Sequence, residues 1–370
     1  MKLLFWLCFG LTAYTYFGYV ALLWVQARLR KQPIQQRKVL PAVSILIAAR
    51  NEEANLPGKL KSLQNLNYPQ ELLQIVIVSD GSTDRTASIL NEQDSYIISV
   101  ILGQSHGKAY CLNEAVKHAT GEILIFQDAR QLVDAHAIIE LVSCFADTTI
   151  GAVSGELLLE AGSGAVAAHA LGLYWKIEKT VRKLESASGS VIGATGAIYA
   201  IRRELYINIP EGTILDDVII PMNIARAGKR VVFQPTAIVR DHIFSDKKKE
   251  FSRKIRTLTG NYQLLRLAPW LFSPVNPLLF RFISHKLLRL IIPLLLFLML
   301  VTSGFSSGSF YRDVFYLQVL FYTVAVMGIV VPSTKKFKFV AVASTFIMLN
   351  AAAAVAFCNF ICSQSEVWNQ

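Results

Sequence analysis

Four polar residues stand where apolar, strand-like runs stop. Asn51 and Glu52 follow Val43–Ala48 (VSILIA), Asp80 follows Gln74–Val78 (QIVIV), and Asp128 follows Glu122–Phe126. Each alone has an ordinary explanation. Asp80-Gly81-Ser82 reads as a turn and N-cap, Asp84 as a first-turn acid, and Asp128 as a cap. Together, an amide and three carboxylates at successive strand ends make a row of hydrogen-bonding groups. In sheets of parallel strands that edge is where ligands bind. Further along, Asp216-Asp217 opens the helix-like stretch PMNIARAGKRV. A helix start explains the pair structurally, and it also holds a carboxylate firmly in place.

The elements that must position these residues alternate in type. Helices are expected over Glu52–Leu66, Ser82–Asn91 and Lys108–His118, between the strands named above and a further strand at Ile98–Leu102. Such alternation predicts βαβ units and a mostly parallel sheet. No internal repeat or low-complexity tract interrupts it.

Composition places this unit beside a membrane. The chain has 370 residues, 53% hydrophobic and only 17% charged, against about 25% charged in soluble domains. Mean hydropathy is +0.41. The net charge of +11 is gathered in collars at residues 28–38, 247–256, 266–289 and 335–338, mostly beside apolar stretches. That is the pattern of the positive-inside rule and not of a nucleic-acid groove, so no nucleic acid is expected. Leu3–Val25 is long enough to span a bilayer, and no A-x-A cleavage site follows it. Leu287–Phe305, Val314–Val331 and Phe339–Ile361 are further candidate spans, with Arg289 free to snorkel. One topology keeps the collars inside: both termini outside, residues 26–286 and the 332–338 loop cytoplasmic. Leu264–Phe282, mixing Leu, Trp, Phe, Pro and Arg, reads as an interfacial segment. The five cysteines (Cys8, Cys111, Cys144, Cys358, Cys362) have no CxxC or zinc-like spacing and read as small hydrophobes.

Seven strings in order carry a resemblance. SILIAARNEEANL, IVIVSDGSTDRT, GKAYCLNEAV and GEILIFQDA resemble the nucleotide-sugar-binding half of family 2 glycosyltransferases with a GT-A fold. VIGATGAIYAIRREL, ILDDVIIPMNIARAGKRV and SRKIRTLTGN resemble the acceptor-side segment, the catalytic acidic stretch and the Q-x-x-R-W region. The likeness covers about residues 41–262. With its flanking spans, the chain is similar to membrane-bound hyaluronan, chitin and poly-N-acetylglucosamine synthases.

The resemblance implies roles. Asn51, Glu52 and Asp80 would recognise the nucleoside, and Lys108 at a helix opening would meet the diphosphate. Asp128 matches the first acid of D-x-D and would help to hold Mg²⁺ or Mn²⁺. Arg130 replaces the second acid. A guanidinium cannot ligate a cation, so either Asp128 and phosphate oxygens hold the ion or Arg130 itself neutralises the leaving group. Asp217, beside Asp216, takes the general-base position. Gly193, Thr195 and Gly196 would leave room for the sugar, and Arg253, Lys254 and Arg256 would bind diphosphate, or else form a membrane-surface patch. Thr257 stands where polymer synthases stack a Trp on the acceptor, which weakens the expectation of processive polymerisation.

The expected architecture is therefore α/β: a Rossmann-like GT-A domain at 41–262, a transmembrane anchor at 1–26, an interfacial segment at 263–286 and three spans at 287–363. The expected protein is an inverting hexosyltransferase of the inner or plasma membrane. It would move a sugar from a cytoplasmic nucleotide-sugar donor to a polysaccharide or lipid-linked acceptor. The alternatives are transfer of one sugar to a polyprenyl phosphate or lipid, and a catalytically silent nucleotide-sugar-binding protein.

Overall fold

The computed structural model describes residues 1–93, 96–160, 165–242 and 247–362. Eight strands form one mixed sheet: β1 (Val43–Ala49), β2 (Leu73–Asp80), β3 (Ile97–Leu102), β4 (Ile123–Asp128), β5 (Leu132–Val133), β6 (Ile150–Glu160), β7 (Ile198–Arg202) and β8 (Arg230–His242). Their order is β3-β2-β1-β4-β7-β6-β8-β5. The first four in that order are parallel, while β7 runs antiparallel to β4 and to β6.

The first strands are almost unbroken apolar runs because helices cover both faces of the sheet. Alternate residues point to opposite sides. Ile45, Ile47, Ile75, Ile77, Ile123 and Ile125 pack with the helices Leu56–Gln64 and Ala137–Ser143. Leu46, Val76, Val78, Leu124 and Phe126 pack with the helices Lys108–His118 and Asp216–Arg226. Parallel register then gathers the strand ends: Ala48 pairs with Asp128, and Ala49 with Ser79. Strand order reverses between β1 and β4, and this switch point opens the crevice at their carboxyl ends.

Two helices start later than the sequence pattern predicts. The helix expected from Glu52 begins at Leu56, and the one expected from Ser82 begins at Thr86. In both cases the preceding polar residues are tied across to the other loop, as described below.

Four helices are long and apolar enough to cross a membrane: Lys2–Leu29, Leu279–Gly304, Ser309–Val330 and Lys338–Ile361. The second begins at Leu279, so residues 279–286 continue into it and do not form a separate surface segment. Residue 363, the expected end of the last span, lies outside the described residues. Phe5 and Cys8 pack on Ile292, Leu295 and Met299, which joins the first helix to the second. Apolar side chains still face outward, with Phe297 60% and Leu320 60% exposed. Exposed apolar surface of this extent marks protein or membrane interaction sites.

Candidate active site

The loops after β1 and β2 are laced together before any ligand is considered. Asn51 takes a left-handed backbone conformation, φ 53°. Its Oδ1 accepts the Thr83 N–H at 2.9 Å, and its own N–H donates to Ser82 Oγ at 3.2 Å. The Glu52 N–H donates to Thr86 Oγ1 at 2.8 Å, and the Glu53 N–H to Asp84 Oδ2 at 3.1 Å. The Glu52 carboxylate accepts from Asn55 Nδ2 at 2.6 Å, while burial pushes its pKa up. Gly81 seals the seam. A Cβ there would lie 2.5 Å from the backbone of Gln104 and Ser105, at a φ of +57°.

Asp80 is 1% exposed. It accepts from the His106 N–H at 2.6 Å, the Gly107 N–H at 3.0 Å and Ser105 Oγ at 2.9 Å. Burial acts to raise its pKa, but these hydrogen bonds outweigh it and hold the carboxyl below the usual range. The carboxylate therefore fixes the loop that opens the Lys108 helix. Asn51 and Asp80, expected to meet the nucleoside, are both engaged by neighbouring loop groups.

At the centre stands an ion-pair chain. Lys108 Nζ lies 2.9 Å from Asp128 Oδ1 and 3.0 Å from Asp216 Oδ1. The three residues come from a helix start, a strand end and a second helix start. Burial alone would deprotonate Lys108, but the two carboxylates outweigh it and raise its pKa. Burial would likewise protonate Asp128, but Lys108, then Arg256 and Lys59, keep its pKa low. Tyr199 closes the chain, donating its hydroxyl to Asp216 Oδ2 at 3.2 Å while stacking on Phe126 at 4.8 Å between ring centroids.

Asp217 is the exception. Burial first, and then the Asp216 charge, push it up to about 6, with Lys286 and Lys108 pulling the other way. Its Oδ2 accepts the Gly196 N–H at 3.1 Å, and its backbone carbonyl accepts the Ala194 N–H at 2.7 Å. A Cβ on Gly193 would stand 3.2 Å from the Asp217 carbonyl oxygen, and one on Gly196 would stand 3.4 Å from Oδ2. These glycines admit Asp217 itself to the loop, where the sequence suggested space for a sugar. The Thr195 N–H donates to Ser154 Oγ at 3.0 Å. A half-buried carboxylic acid at about 6 is suited to take a proton near neutral pH.

Arg130 pairs with Asp241, whose Oδ2 also accepts from Gln131 Nε2 at 3.1 Å, and its charge also bears on Glu52. Of the helix Lys247–Leu267, Arg256 bears electrostatically on Asp128, whereas the Lys254 ammonium sits 5.3 Å from the Trp175 ring centroid. Arg253 lies on the same helix, nearer its start. Lys59, Tyr199 and Lys286 did not stand out in the sequence as site residues. Lys59 is fully buried and donates from Nζ to Gln127 Oε1 at 2.5 Å and Gln131 O at 2.9 Å, with burial pushing it down to about 7. Its signal was there: it shares a helical stripe with Leu56, Leu60 and Leu63, all core residues.

Among the described residues no three His, Cys, Asp or Glu groups cluster as a ready metal site. Asp128 is 37% exposed at its side chain, and Lys108 bonds one of its oxygens. That leaves it able to give one ligand to a divalent cation whose other ligands would be phosphate oxygens and water.

Comparison with known proteins agrees with this geometry. The family described as glycosyltransferase-like family 2 matches residues 41–260. Probable glycosyltransferase YdaM of Bacillus subtilis (strain 168) is 26% identical over 255 residues, covering 65% of this chain and 60% of that protein. Poly-beta-1,6-N-acetyl-D-glucosamine synthase of Staphylococcus aureus (strain COL) is 22% identical over 247 residues, again covering 65% of this chain and 60% of the relative. The match thus spans about 60% of these relatives' length. In fold, the chain is similar to mannosyltransferase PcManGT from Pyrobaculum calidifontis, solved with GDP-Man and Mn²⁺. The TM-score is 0.72 at 23% identity, over 98% of this chain and 99% of that one. The α/β sheet is of the GT-A type. Since the family match takes in every strand and helix that carries Lys108, Asp128, Asp216 and Asp217, the chain belongs to glycosyltransferase-like family 2.

Proposed function

We propose that this protein transfers a sugar, with inversion, from a nucleotide-sugar donor to an acceptor hydroxyl at a membrane surface. The observation that carries the reading is the contrast between Asp217, held near 6, and the Lys108–Asp128–Asp216 chain a residue away. Asp217 takes the acceptor's proton as the new bond forms at the anomeric carbon. The bond to the diphosphate breaks with its electron pair on the leaving oxygen. Lys108 and Arg256 would meet that charge. The loops tied through Asn51, Glu53 and Asp80 would shape the nucleoside pocket. Mg²⁺ or Mn²⁺ would bind through Asp128 and the donor phosphates, supplying Lewis-acid stabilisation of the departing group.

The four long helices support a membrane-embedded enzyme of the plasma or inner membrane. Its domain at 41–262 would share the cytoplasm with the donor, between an anchor at 1–26 and three spans at 287–363. A lipid or lipid-linked acceptor taking one sugar is favoured over a growing polysaccharide. The helix from Leu279 is clamped to the segment leading into the Asp217 loop, and Thr257 offers no aromatic platform. Release of nucleoside diphosphate from a donor panel, measured with the full chain in detergent plus a bacterial lipid extract, tests the activity. At least one donor is expected to give extract-dependent release; none above the enzyme-free rate would overturn it.

Two further outcomes are expected. In intact cells an impermeant thiol reagent should label Cys362, which is exposed near the C-terminus, and should fail to label Gln36→Cys introduced in a chain lacking Cys358 and Cys362. Labelling at position 36 contradicts the topology. Because Arg130 is held by Asp241, Arg130→Ala should lower thermal stability and leave the Mg²⁺ titration of activity unchanged. A titration moved to higher Mg²⁺ would instead put Arg130 at the diphosphate.

A further inference from the structure

The first C-terminal membrane helix does more than anchor the catalytic unit. Arg281 Nη1 donates to the carbonyls of Glu185 and Ser190, both at 2.6 Å, and Nη2 donates to Ser188 O and Oγ at 2.9 Å. This clamps the segment that leads directly into Val191–Gly196, the loop lying on Asp217. One turn later His285 is buried between two carboxylates, Nδ1 3.0 Å from Glu185 and Nε2 3.1 Å from Glu178. Arg289 Nη1 stands 2.8 Å from Glu178. The N-terminal helix joins the same knot: the Tyr19 hydroxyl donates to Glu185 Oε1 at 2.6 Å, and Tyr14 Oη lies 2.8 Å from Ser284 Oγ. Both membrane helices widen to five-residue turns at this point, Tyr14–Gly18 and Ile283–Leu287. Such local widening is frequent at functional sites.

Charge matching in this knot is uneven: two carboxylates stand among Arg182, Arg281, Arg289, His285 and Lys286, and among the described residues Glu185 Oε2 is buried without a hydrogen bond. Glu178 is met by His285, Arg289 and Arg182, while Glu185 is met by His285 and Tyr19. Lys286 lies in the same wide turn and is half-buried. Among the described residues its ammonium makes no hydrogen bond or ion pair. Its charge acts on Asp217 and on Glu178. Of the cations acting on Asp217, Lys286 contributes most. A strongly hydrated ammonium held half out of water without a partner is costly unless something binds it. Below it the helix continues as an apolar rod, with Leu294 57% and Phe297 60% exposed.

We propose that Lys286 is the anion subsite for the acceptor, taking the phosphate of an amphiphilic membrane lipid whose neighbouring hydroxyl is presented to Asp217. The placement argues for a lipid phosphate. The cation sits at the headgroup end of a span, on the helix that Arg281 clamps to the segment leading into the Asp217 loop, and exposed apolar side chains below it would accept a hydrocarbon tail. A base beside a cation fits an acceptor that carries both a hydroxyl and an anionic group. In the transfer the acceptor hydroxyl loses its proton to Asp217 and bonds the anomeric carbon, the nucleoside diphosphate departs, and the lipid phosphate stays on Lys286 unchanged. This rests on Asp217 being the residue that meets the acceptor.

The test is equilibrium binding of radiolabelled dodecyl phosphate to the full chain in phosphatidylcholine nanodiscs, corrected with empty discs. Saturable binding is expected. It should weaken about tenfold or more in Lys286→Met, the scale of one charge-assisted hydrogen bond, and it should persist in Lys286→Arg. Asp217→Asn should tighten it, because a like charge beside the phosphate is removed. Dodecanol binding should be equal in all variants. Equal dodecyl phosphate affinity in wild type and in a folded Lys286→Met overturns the proposal. So does competition by inorganic phosphate as strong as by dodecyl phosphate, which would mark a site for free phosphate. If Lys286→Met fails to fold, retained binding in Lys286→Arg together with tightening in Asp217→Asn still supports the site, and absence of both refutes it. No turnover is needed. Lys286-dependent binding in a protein that transfers no sugar would sink the transferase reading alone. Donor turnover without Lys286-dependent binding would sink this one alone.

Discussion

Asp217→Asn is expected to cut sugar transfer by about 10²–10⁴-fold, the usual worth of a positioned general base. Donor affinity should stay within about 1 kcal/mol, because a base acts in the transition state and not in donor recognition. The amide keeps the shape of the group and can still accept the Gly196 N–H. The wild-type rate should rise with pH through about 6, the value to which burial and Asp216 push Asp217, and level off above it. The sign for stability is opposite. A carboxyl whose pKa is raised on folding favours the folded state only while protonated. Its contribution is lost as pH rises through about 6, so Asp217→Asn should melt higher than wild type at pH 8. Near-normal turnover in the variant would overturn the assignment. So would a wild-type rate flat between pH 5 and pH 8. Thermal melts at pH 5 and pH 8 check the second half independently.

Lys108→Met carries the second large effect. It leaves Asp128 and the nearly buried Asp216, with its side chain 4% exposed, without their shared cation. Breaking a buried pair by removing one partner costs about 3–5 kcal/mol. The low end applies here because Asp128 stays partly solvated. Transfer should be lost at the same time, since the departing diphosphate loses a cation. In wild type the depressed pKa of Asp128 contributes stability that is complete above the ordinary carboxylate range. That contribution disappears as pH falls through the lowered value. Lys108→Met should therefore lose less stability on acidification than wild type. Urea unfolding of the full chain at pH 7 and at about pH 2, below the ordinary carboxylate range, measures both terms. A stability change under about 1 kcal/mol at pH 7 would show that the chain of ion pairs is solvated and not structural.

Glu185 lies just before the glycine-bearing loop that holds Asp217, and it is bonded by Tyr19 from the first membrane helix and His285 from the second. Arg281 ties the second of these helices to the Ser188–Ser190 backbone, which leads into the loop that bonds Asp217.

Much of this was decided by local sequence. VSILIAA and LQIVIVSD read as buried strands, because short apolar runs rich in Ile and Val and bounded by polar residues fit a sheet covered on both faces. Parallel strands place Asn51, Asp80 and Asp128 at one edge without further information. Asp216 and Asp217 at a helix start, and Lys108 just after Gly107, are legible for the same local reason. The four long apolar helices follow from length and composition alone.

Other features are properties of distance, which spacing along a chain does not encode. The engagement of the Asp80 and Asn51 side chains by backbone N–H groups became visible only once the loops met. Arg130 reads identically whether it faces a diphosphate or an acid 111 positions away, and the meeting of β4, β5 and β8 selected Asp241. Lys59 sits in an apolar stripe that predicts burial, but only the packed sheet supplies the Gln127 and Gln131 oxygens that make burial tolerable. Lys286 stood in a collar of basic residues that sequence assigns to the membrane surface. The helix beginning at Leu279, clamped by Arg281 and His285, carries it into the wide turn packed on the Glu178–Glu185 segment. Periodicity and turn chemistry act over a few residues and can be read in order, whereas the partner of a charge is chosen by the tertiary fold.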